Sequence, residues 1–369
     1  MSHTPVLVER CRDLVGLALS QTKELACNKR QSQECDVSLG EPPVYVDATL
    51  GMGGHAEAIL EAYEDIHLVG IDRDPHALEQ AKQRLEPFHH RCSFFHTTAD
   101  ALPAVLSSLR NPPVVAVLFD LGISSLQIDS PERGFSYSHD VPLDMRMNPE
   151  DPLTAADILN TYSEAEIARI LKDFGEERFA RKIARVVVQD RVRTPWETSG
   201  QLVAMLQRVI PDSSRRAHNG THSRRRGGKV DGRKPSSSHP AKRTFQALRI
   251  AVNGELDSIA RAVPAALDAL CVGGICIVES YQSLEDALVK RIFTEVSSVQ
   301  APPDLPVVPM HLEPWGELVS RRAECASEQE ISANPRSASV RLRALCKTRS
   351  PESTLSSSPS FPRSSEAML

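Results

Sequence analysis

Short apolar runs alternate with helix-length amphipathic segments along the first third of the chain. The runs at 44–48, 67–72, 93–96 and 114–119 have the length of buried strands. Strands that alternate with helices in this way are typical of a parallel α/β sheet, which helices cover on both faces. A helix is expected to open at Pro75, because proline fits the first helical turn. We therefore predict an α/β fold built on a parallel sheet.

A different pattern occupies the middle of the chain. Residues 131–210 carry apolar side chains at helical spacing, for example at Ile167, Ile170 and Leu171, and the strand-like runs stop. This pattern predicts a predominantly helical block. Near the N-terminus, residues 20–42 are polar and irregular, which predicts a loop before the first strand.

The sheet is expected to resume later in the sequence. The pattern predicts a long helix from Thr244 to about Leu270, a strand at 275–278, a helix opening at Ser283 and a last strand around Val340. The helical block therefore interrupts a sheet that is completed after it. The predicted organisation is a discontinuous core at 1–130 and 240–346, an inserted helical subdomain at 131–211, a basic disordered insertion at 212–239 and a disordered tail at 347–369.

Charge is unevenly distributed along the 369 residues. The formal net charge is −5, which excludes a protein that is basic over its whole surface. Between Arg208 and Arg243, however, eleven Lys and Arg residues face two acidic residues, a local balance of +9. Such a run could bind RNA phosphates or could be a solvated, disordered insertion, and both readings stay open.

Other compositional features limit the classes of function. The chain has no apolar stretch of membrane-spanning length, and its N-terminus lacks the pattern of a secretion signal. We therefore expect a cytoplasmic protein without a membrane partner. None of the eight cysteines has C-x-x-C spacing, so no metal site is predicted.

A glycine-rich turn at 51–54 stands between the first predicted strand and the next helix. In an open α/β sheet this edge is where ligands bind, and Asp72 at the end of the second strand could accept hydrogen bonds from a ribose diol. Dinucleotides and S-adenosylmethionine both carry that diol. The third glycine of G-x-G-x-x-G is missing and Asp47 places a carboxylate near the turn, which together favour the cationic S-adenosylmethionine. A tight turn without a ligand is the alternative.

Asp120 follows the fourth predicted strand at the same edge. The exocyclic amine of a base is a weak nucleophile, and a carboxylate that holds its hydrogens can take up the proton as a methyl group arrives. Asp120 could perform this role. A strand-end aspartate that caps the next turn is an equal alternative.

Eleven peptides, in order along the chain, resemble the bacterial small-subunit (16S) ribosomal RNA cytosine-N4 methyltransferase family of MraW type. They are HTPVL at 3–7, YVDATLGMGGH at 45–55, GIDRD at 70–74, DLGISS at 120–125, RGFS at 133–136, PLDMRM at 142–147, GEE at 175–177, HPA at 239–241, RTFQALRI at 243–250, SLED at 283–286 and NPR at 334–336. The ordered set spans most of the chain, which makes the resemblance specific.

The resemblance implies a Rossmann-like S-adenosylmethionine-dependent methyltransferase core with an inserted helical subdomain. It also implies N4-methylation of a cytidine in the decoding region of the small-subunit RNA, with 16S ribosomal RNA, within the small subunit, as the partner. Carried over by position, the cofactor contacts are Gly53, Gly54, His55, Asp72, Ala99, Asp120 and Gln127. The family often has an aromatic residue at the position of Ala99 and a histidine at that of Gln282, and glutamine cannot act as a general base.

Five residues are candidates for contacts with RNA. Lys242, Arg243 and Arg249 belong to the start of an ordered helix, whereas Arg133 and Phe135 could contact a nucleotide flipped out of its stack. Arg133 could equally form a structural ion pair. The oligomeric state stays open, with a homodimer as one option.

Two rival functions remain at this point. A nicotinamide-dependent oxidoreductase could use the same glycine turn, and titration with S-adenosylhomocysteine and NAD would separate it from a methyltransferase. A non-catalytic RNA-binding ribosome assembly factor with a vestigial pocket would bind small subunits without transferring label from a methyl-labelled cofactor.

Overall fold

The computed structural model describes residues 5–31, 42–211, 239–301 and 308–351. Its strands are β1 (Val44–Asp47), β2 (His67–Asp72), β3 (Cys92–His96), β4 (Val114–Asp120), β5 (Leu270–Ser280), β6 (Gly316–Leu318) and β7 (Arg341–Lys347). They form one sheet in the order β3-β2-β1-β4-β5-β7-β6. Strands β1 to β5 are parallel to one another, and β7 runs antiparallel to β5 and β6. The predicted α/β fold is confirmed.

The helices, in chain order, are α1 (Val8–Gln31), α2 (Gly54–Ala62), α3 (Pro75–Arg84), α4 (Leu102–Ser108), α5 (Ser125–Asp129), α6 (Ala155–Thr161), α7 (Glu164–Gly175), α8 (Ala180–Arg191), α9 (Ser199–Val209), α10 (Lys242–Asn253), α11 (Glu255–Ala269), α12 (Ser283–Ser297) and α13 (Glu328–Ala333). Within the described ranges, no helix is long and apolar enough to cross a membrane.

Helices cover both faces of the sheet. Every residue of β1 and the first six residues of β4 are buried, as expected for parallel strands enclosed on two sides. Side chains of α1, α2 and α3 pack on one face, and those of α4, α11 and α12 pack on the other. This arrangement leaves the carboxyl edge of β1, β2 and β4 as the place where loops can build a site.

The N-terminal helix α1 differs from the predicted loop at 20–42. It continues to Gln31, and its Cys11, Leu14, Val15 and Ala18 are fully buried against the sheet. These four residues follow helical spacing, but none of the residues from Leu19 to Ala26 is buried, so the apolar period does not continue. The prediction of a loop was therefore wrong for residues up to Gln31.

A third apolar cluster joins α6, α7, α8 and α9 to α10. The described residues before α6 are largely irregular between Gly134 and Thr154, so the predicted helical block begins later than 131. Phe245, Ala247 and Leu248 of α10 belong to this cluster. The helical layer therefore includes a helix that the sequence-based boundary at 239/240 assigned to the core.

The predicted helix from Thr244 to Leu270 is two helices. Gly254 separates α10 from α11 and has a φ of 57°, a left-handed conformation that glycine adopts without steric cost. Strand β5 begins at Leu270, five residues before the predicted start, because an irregular pairing with β4 precedes Ile275. The three-residue strand β6 was not predicted.

Candidate active site

The glycine turn after β1 is held by the carboxylate at the end of β2. The backbone N–H of Gly51 donates to Asp72 Oδ2 at 2.6 Å, and the N–H of Asp74 donates to Asp72 Oδ1 at 2.8 Å. Burial raises the pKa of Asp72 to about 6, although both N–H groups and the nearby arginine act in the opposite direction. Asp72 therefore shapes the glycine turn.

A cavity of about 500 Å³ lies between this sheet edge and the helical layer. Six of the seven residues predicted to contact the cofactor line it: Gly54, His55, Asp72, Ala99, Asp120 and Gln127. Gly53 does not, because a Cβ at this position would point toward Ala81 and Leu85 of the α3 segment. The φ of Gly53 is 77°, a left-handed conformation that glycine adopts without steric cost, and this explains why glycine is favoured at the position.

Asp47 lies under the cavity and does not line it. Its side chain is buried and accepts a hydrogen bond from Tyr45 Oη at 3.2 Å. Burial raises the pKa of Asp47 to about 7. The idea that Asp47 directly faces a cationic ligand is therefore not supported by its position.

His55 connects several of these acids. Its Nε2 lies 2.8 Å from the carbonyl oxygen of Val6, and its Nδ1 lies 3.8 Å from Asp120 Oδ2. Burial disfavours the imidazolium, but the carboxylates of Glu279, Asp120 and Asp47 outweigh it and raise the pKa of His55. His55 thus places positive charge among buried acids.

Asp120 presents a carboxylate to the cavity at the end of β4. Its side chain is 32% exposed, and Tyr281 Oη donates to its Oδ1 at 2.8 Å. Thr49 Oγ1 accepts from the Asp120 N–H at 2.6 Å, which fixes the backbone of this residue. The described contacts give the Asp120 carboxylate a tyrosine partner and no hydrogen bond to the following turn. Its position therefore does not support the alternative in which Asp120 caps that turn.

Sequence reasoning missed two residues beside Asp120. Tyr281 lines the cavity, and Glu279 is 0% exposed behind it. Burial raises the pKa of Glu279 to about 8, with His55 acting against the shift and Asp120 in favour of it. Burial and the neighbouring acids also hold the pKa of Tyr281 well above its usual range. An acid inside an apolar strand was the signal that could have identified this group.

Cys11, His55 and Glu279 bring three side-chain types that bind metal ions within 4.8 Å of one another. Each already has a protein partner, since Cys11 Sγ donates to Glu279 Oε1 at 3.2 Å and His55 contacts the Val6 carbonyl. Cys11 and Glu279 therefore use each other as hydrogen-bond partners, and His55 uses a backbone carbonyl.

Gln127 and Arg133 meet at Asp74. Gln127 Nε2 donates to Asp74 Oδ2 at 3.0 Å, and Arg133 Nη2 lies 3.0 Å from the same oxygen. Arg133 also donates to the backbone carbonyls of Arg146 and Met147. It does not line the cavity, so of its two readings the position favours the structural ion pair.

The remaining RNA candidates separate into two groups. Phe135 and Lys242 line the cavity on its helical side, whereas Arg243 does not and donates to the Glu176 carbonyl at 3.3 Å. Arg249 lines the cavity but pairs with Glu255 through two contacts of 2.8 Å. The basic run at 212–238 lies outside the described residues.

Aromatic rings lie on the helical side of the same cavity. The ring of Tyr137 stacks on His239 with centroids 4.8 Å apart and meets Phe245 edge-on at 5.6 Å.

Gln282, at the position where a histidine was expected, donates from Nε2 to Glu285 Oε1 at 2.8 Å. Its Nε2 is therefore used at the start of α12.

Comparison with known proteins points to one family. The family model described as "MraW methylase family" matches residues 1–348. The chain is 49% identical over 345 residues to a protein named "Ribosomal RNA small subunit methyltransferase H" from Nocardia farcinica, covering 93% of this chain and 95% of that one. Proteins of the same name from Nocardioides sp. (49% over 347 residues, 94% and 97% covered) and Saccharopolyspora erythraea (48% over 343 residues, 93% and 92% covered) are similarly close.

Proposed function

The chain belongs to the MraW methylase family and is a methyltransferase, and from this premise we propose that it methylates the N4 amine of a cytidine in small-subunit ribosomal RNA with S-adenosylmethionine as the donor. The observation that carries the proposal is the Asp120 carboxylate, which lines the same cavity as the Asp72-anchored glycine turn. The Asp120 carboxylate, a hydrogen-bond acceptor, thus lies close to a turn that is suited to bind a nucleoside.

The lining of the cavity fits S-adenosylmethionine. Each carboxylate oxygen of Asp72 accepts one backbone N–H and retains a lone pair that a ribose hydroxyl can use. The volume of about 500 Å³ falls in the usual range for ligand sites. Asp72, Gly54, Ala99 and Gln127 are the residues that would hold the donor, and its sulfonium supplies an electrophilic methyl group.

Asp120 is the proposed acceptor for the substrate amine. The amine nitrogen forms a bond to the methyl carbon, the carbon–sulfur bond breaks with its electron pair left on sulfur, and one amine hydrogen leaves as a proton. Asp120 Oδ2 is the proposed acceptor of that proton, because Oδ1 already accepts the Tyr281 hydroxyl. The chain contributes mainly by orienting the amine and excluding water around it.

The helical layer is proposed to hold the RNA. Phe135 and Lys242 line the cavity opposite the glycine turn, which suits stacking on a base that has left its helix and contact with a phosphate. We do not assign this role to Arg249, whose charge is already paired with Glu255.

Methyl transfer tests the proposal. Purified chain, methyl-labelled S-adenosylmethionine and small subunits from cells that lack the gene should yield labelled N4-methylcytidine in nucleoside mass spectrometry. Asp120→Ala should lower kcat by about 10²–10⁴-fold, the usual contribution of a positioned acid or base. Asp65→Ala, an exposed residue at the opposite end of the sheet, is the matched control and should retain the parent rate.

Three results would contradict the proposal. Asp120→Ala at the parent rate would remove this carboxylate from the reaction. Binding of small subunits without any transfer of label would identify an assembly factor instead of an enzyme, and binding of NAD in preference to S-adenosylhomocysteine would exclude the donor.

A further inference from the structure

Tyr281 joins the buried side of the sheet to the cavity. It stands one residue beyond β5, and its hydroxyl lies 2.8 Å from Asp120 Oδ1 and 3.4 Å from Glu279 Oε2. A hydroxyl has one hydrogen to donate, so it can serve only one of the two carboxylates at a time.

We propose that Tyr281 is a positioning residue for methyl transfer, whose hydroxyl holds Asp120 Oδ1 so that Oδ2 stays turned toward the substrate amine. The proposal rests on the function proposed above. Asp120 keeps the catalytic contact, and Tyr281 acts through it.

Glu279 decides which carboxylate receives the Tyr281 hydrogen. It is 0% exposed and faces Cys11 of α1 at 3.2 Å, His55 of α2 at 3.9 Å and Tyr281. Burial of Glu279 disfavours its charged carboxylate, the stronger acceptor, and its contact with the Tyr281 hydroxyl is the longer one at 3.4 Å. The tyrosine hydrogen is then directed to Asp120, the closer and more exposed acceptor.

The two carboxylate oxygens of Asp120 therefore have different surroundings. Oδ1 is occupied by Tyr281, and Oδ2 faces His55 Nδ1 at 3.8 Å, which is too long for a hydrogen bond. The backbone of Asp120 is fixed through Thr49. Rotation of the carboxylate is therefore restrained mainly by the tyrosine hydroxyl, which is the contact that a single oxygen deletion removes.

Tyr281→Phe tests this assignment because it deletes only that oxygen. Its kcat should fall roughly ten- to hundredfold, the range expected for losing a hydrogen bond to a charged group, while the KM values for RNA and donor stay within about twofold. Tyr63→Phe is the matched control, since the Tyr63 hydroxyl donates to the Arg12 carbonyl at 2.9 Å, outside the cavity. A kcat within twofold of the parent, or a loss that appears only in KM, overturns the proposal.

A double-mutant cycle gives a second readout that needs no substrate. The unfolding temperatures of Tyr281→Phe, Asp120→Ala and the double variant are compared with that of the parent. We expect the effect of Tyr281→Phe to be smaller in the Asp120→Ala background, where only the longer contact to Glu279 remains, and independent, additive shifts would overturn the proposal. If the parent chain transfers no methyl group, the proposed function is refuted. The unfolding cycle can be measured in either case, so a failure of the positioning proposal is distinguishable from a failure of the proposed function.

Discussion

Replacing Glu279 by Gln should make the stability of the chain less dependent on pH. Glu279 is 0% exposed, and its Oε1 accepts from Cys11 Sγ at 3.2 Å while its Oε2 lies 3.9 Å from His55 Nε2. Asp120 adds negative charge nearby. An ionised carboxylate in this position would be costly, because it would be desolvated among other acids.

The size and sign of the effect follow from the pKa of this group. In the fold burial raises the pKa of Glu279 from 4.5 to about 8. The folded chain therefore keeps a proton that the unfolded chain loses above pH 4.5, so this contribution to stability is complete at low pH and is lost as pH rises through about 8. The free energy of unfolding should fall by up to about 1.4 kcal/mol per pH unit in that window. Most of the loss is complete by pH 9, because the folded and the unfolded chain then both lack the proton.

Urea unfolding at pH 5.5, 7 and 9 measures this difference. The variant keeps the shape and one hydrogen-bond donor of the protonated acid but cannot ionise, so its advantage over the parent should grow steadily with pH. Glu61→Gln, at an exposed position of α2, is the control and should follow the parent at every pH. Parallel curves for parent and Glu279→Gln would refute the reasoning, because they would mean that Glu279 is ionised in the fold throughout.

Two further predictions concern the cavity wall. Asp72→Ala should weaken S-adenosylmethionine binding by about 1.5–3 kcal/mol in calorimetry, since it removes a charged acceptor and releases the Gly51 N–H; unchanged affinity would contradict this. Arg249→Ala should lower the free energy of unfolding by about 3–5 kcal/mol in urea, because Glu255 and Glu285 would stay buried without their cation. A loss below about 1 kcal/mol would instead favour a role for Arg249 on RNA.

The parts of the fold that follow from local patterns could be predicted from the sequence. The apolar runs at 44–48 and 114–119 are strands β1 and β4 almost to the residue, because strands enclosed on both faces must be apolar throughout. The end of α1 could not be found in this way. None of the side chains from Leu19 to Ala26 is buried, so hydrophobic periodicity gives no signal there.

The residues of the candidate site likewise include some that a local pattern identifies and some that it does not. Asp72 and Asp120 were identified because each ends a strand, and the carboxyl ends of parallel strands meet at one edge. Arg133 and Arg249 carried a charge that was compatible with RNA, and only the contacts show that Asp74 and Glu255 already balance it. A charge read from sequence does not reveal its partner.

The group around Asp120 depends on strand register, which no local pattern encodes. Asp120 of β4 pairs with Glu279 of β5, and this register places Tyr281 beside the cavity. A shift of one residue would turn Glu279 to the other face of the sheet and separate Tyr281 from Asp120. An acid that follows Ile277 and Val278 in a buried strand is nevertheless informative, because burial of a carboxyl is tolerated only where hydrogen bonds or a retained proton compensate for it. A buried acid at the ligand edge of a sheet therefore indicates a carboxyl group that retains its proton in the fold. Here that acid, Glu279, lies directly behind Asp120, the proposed acceptor of the reaction.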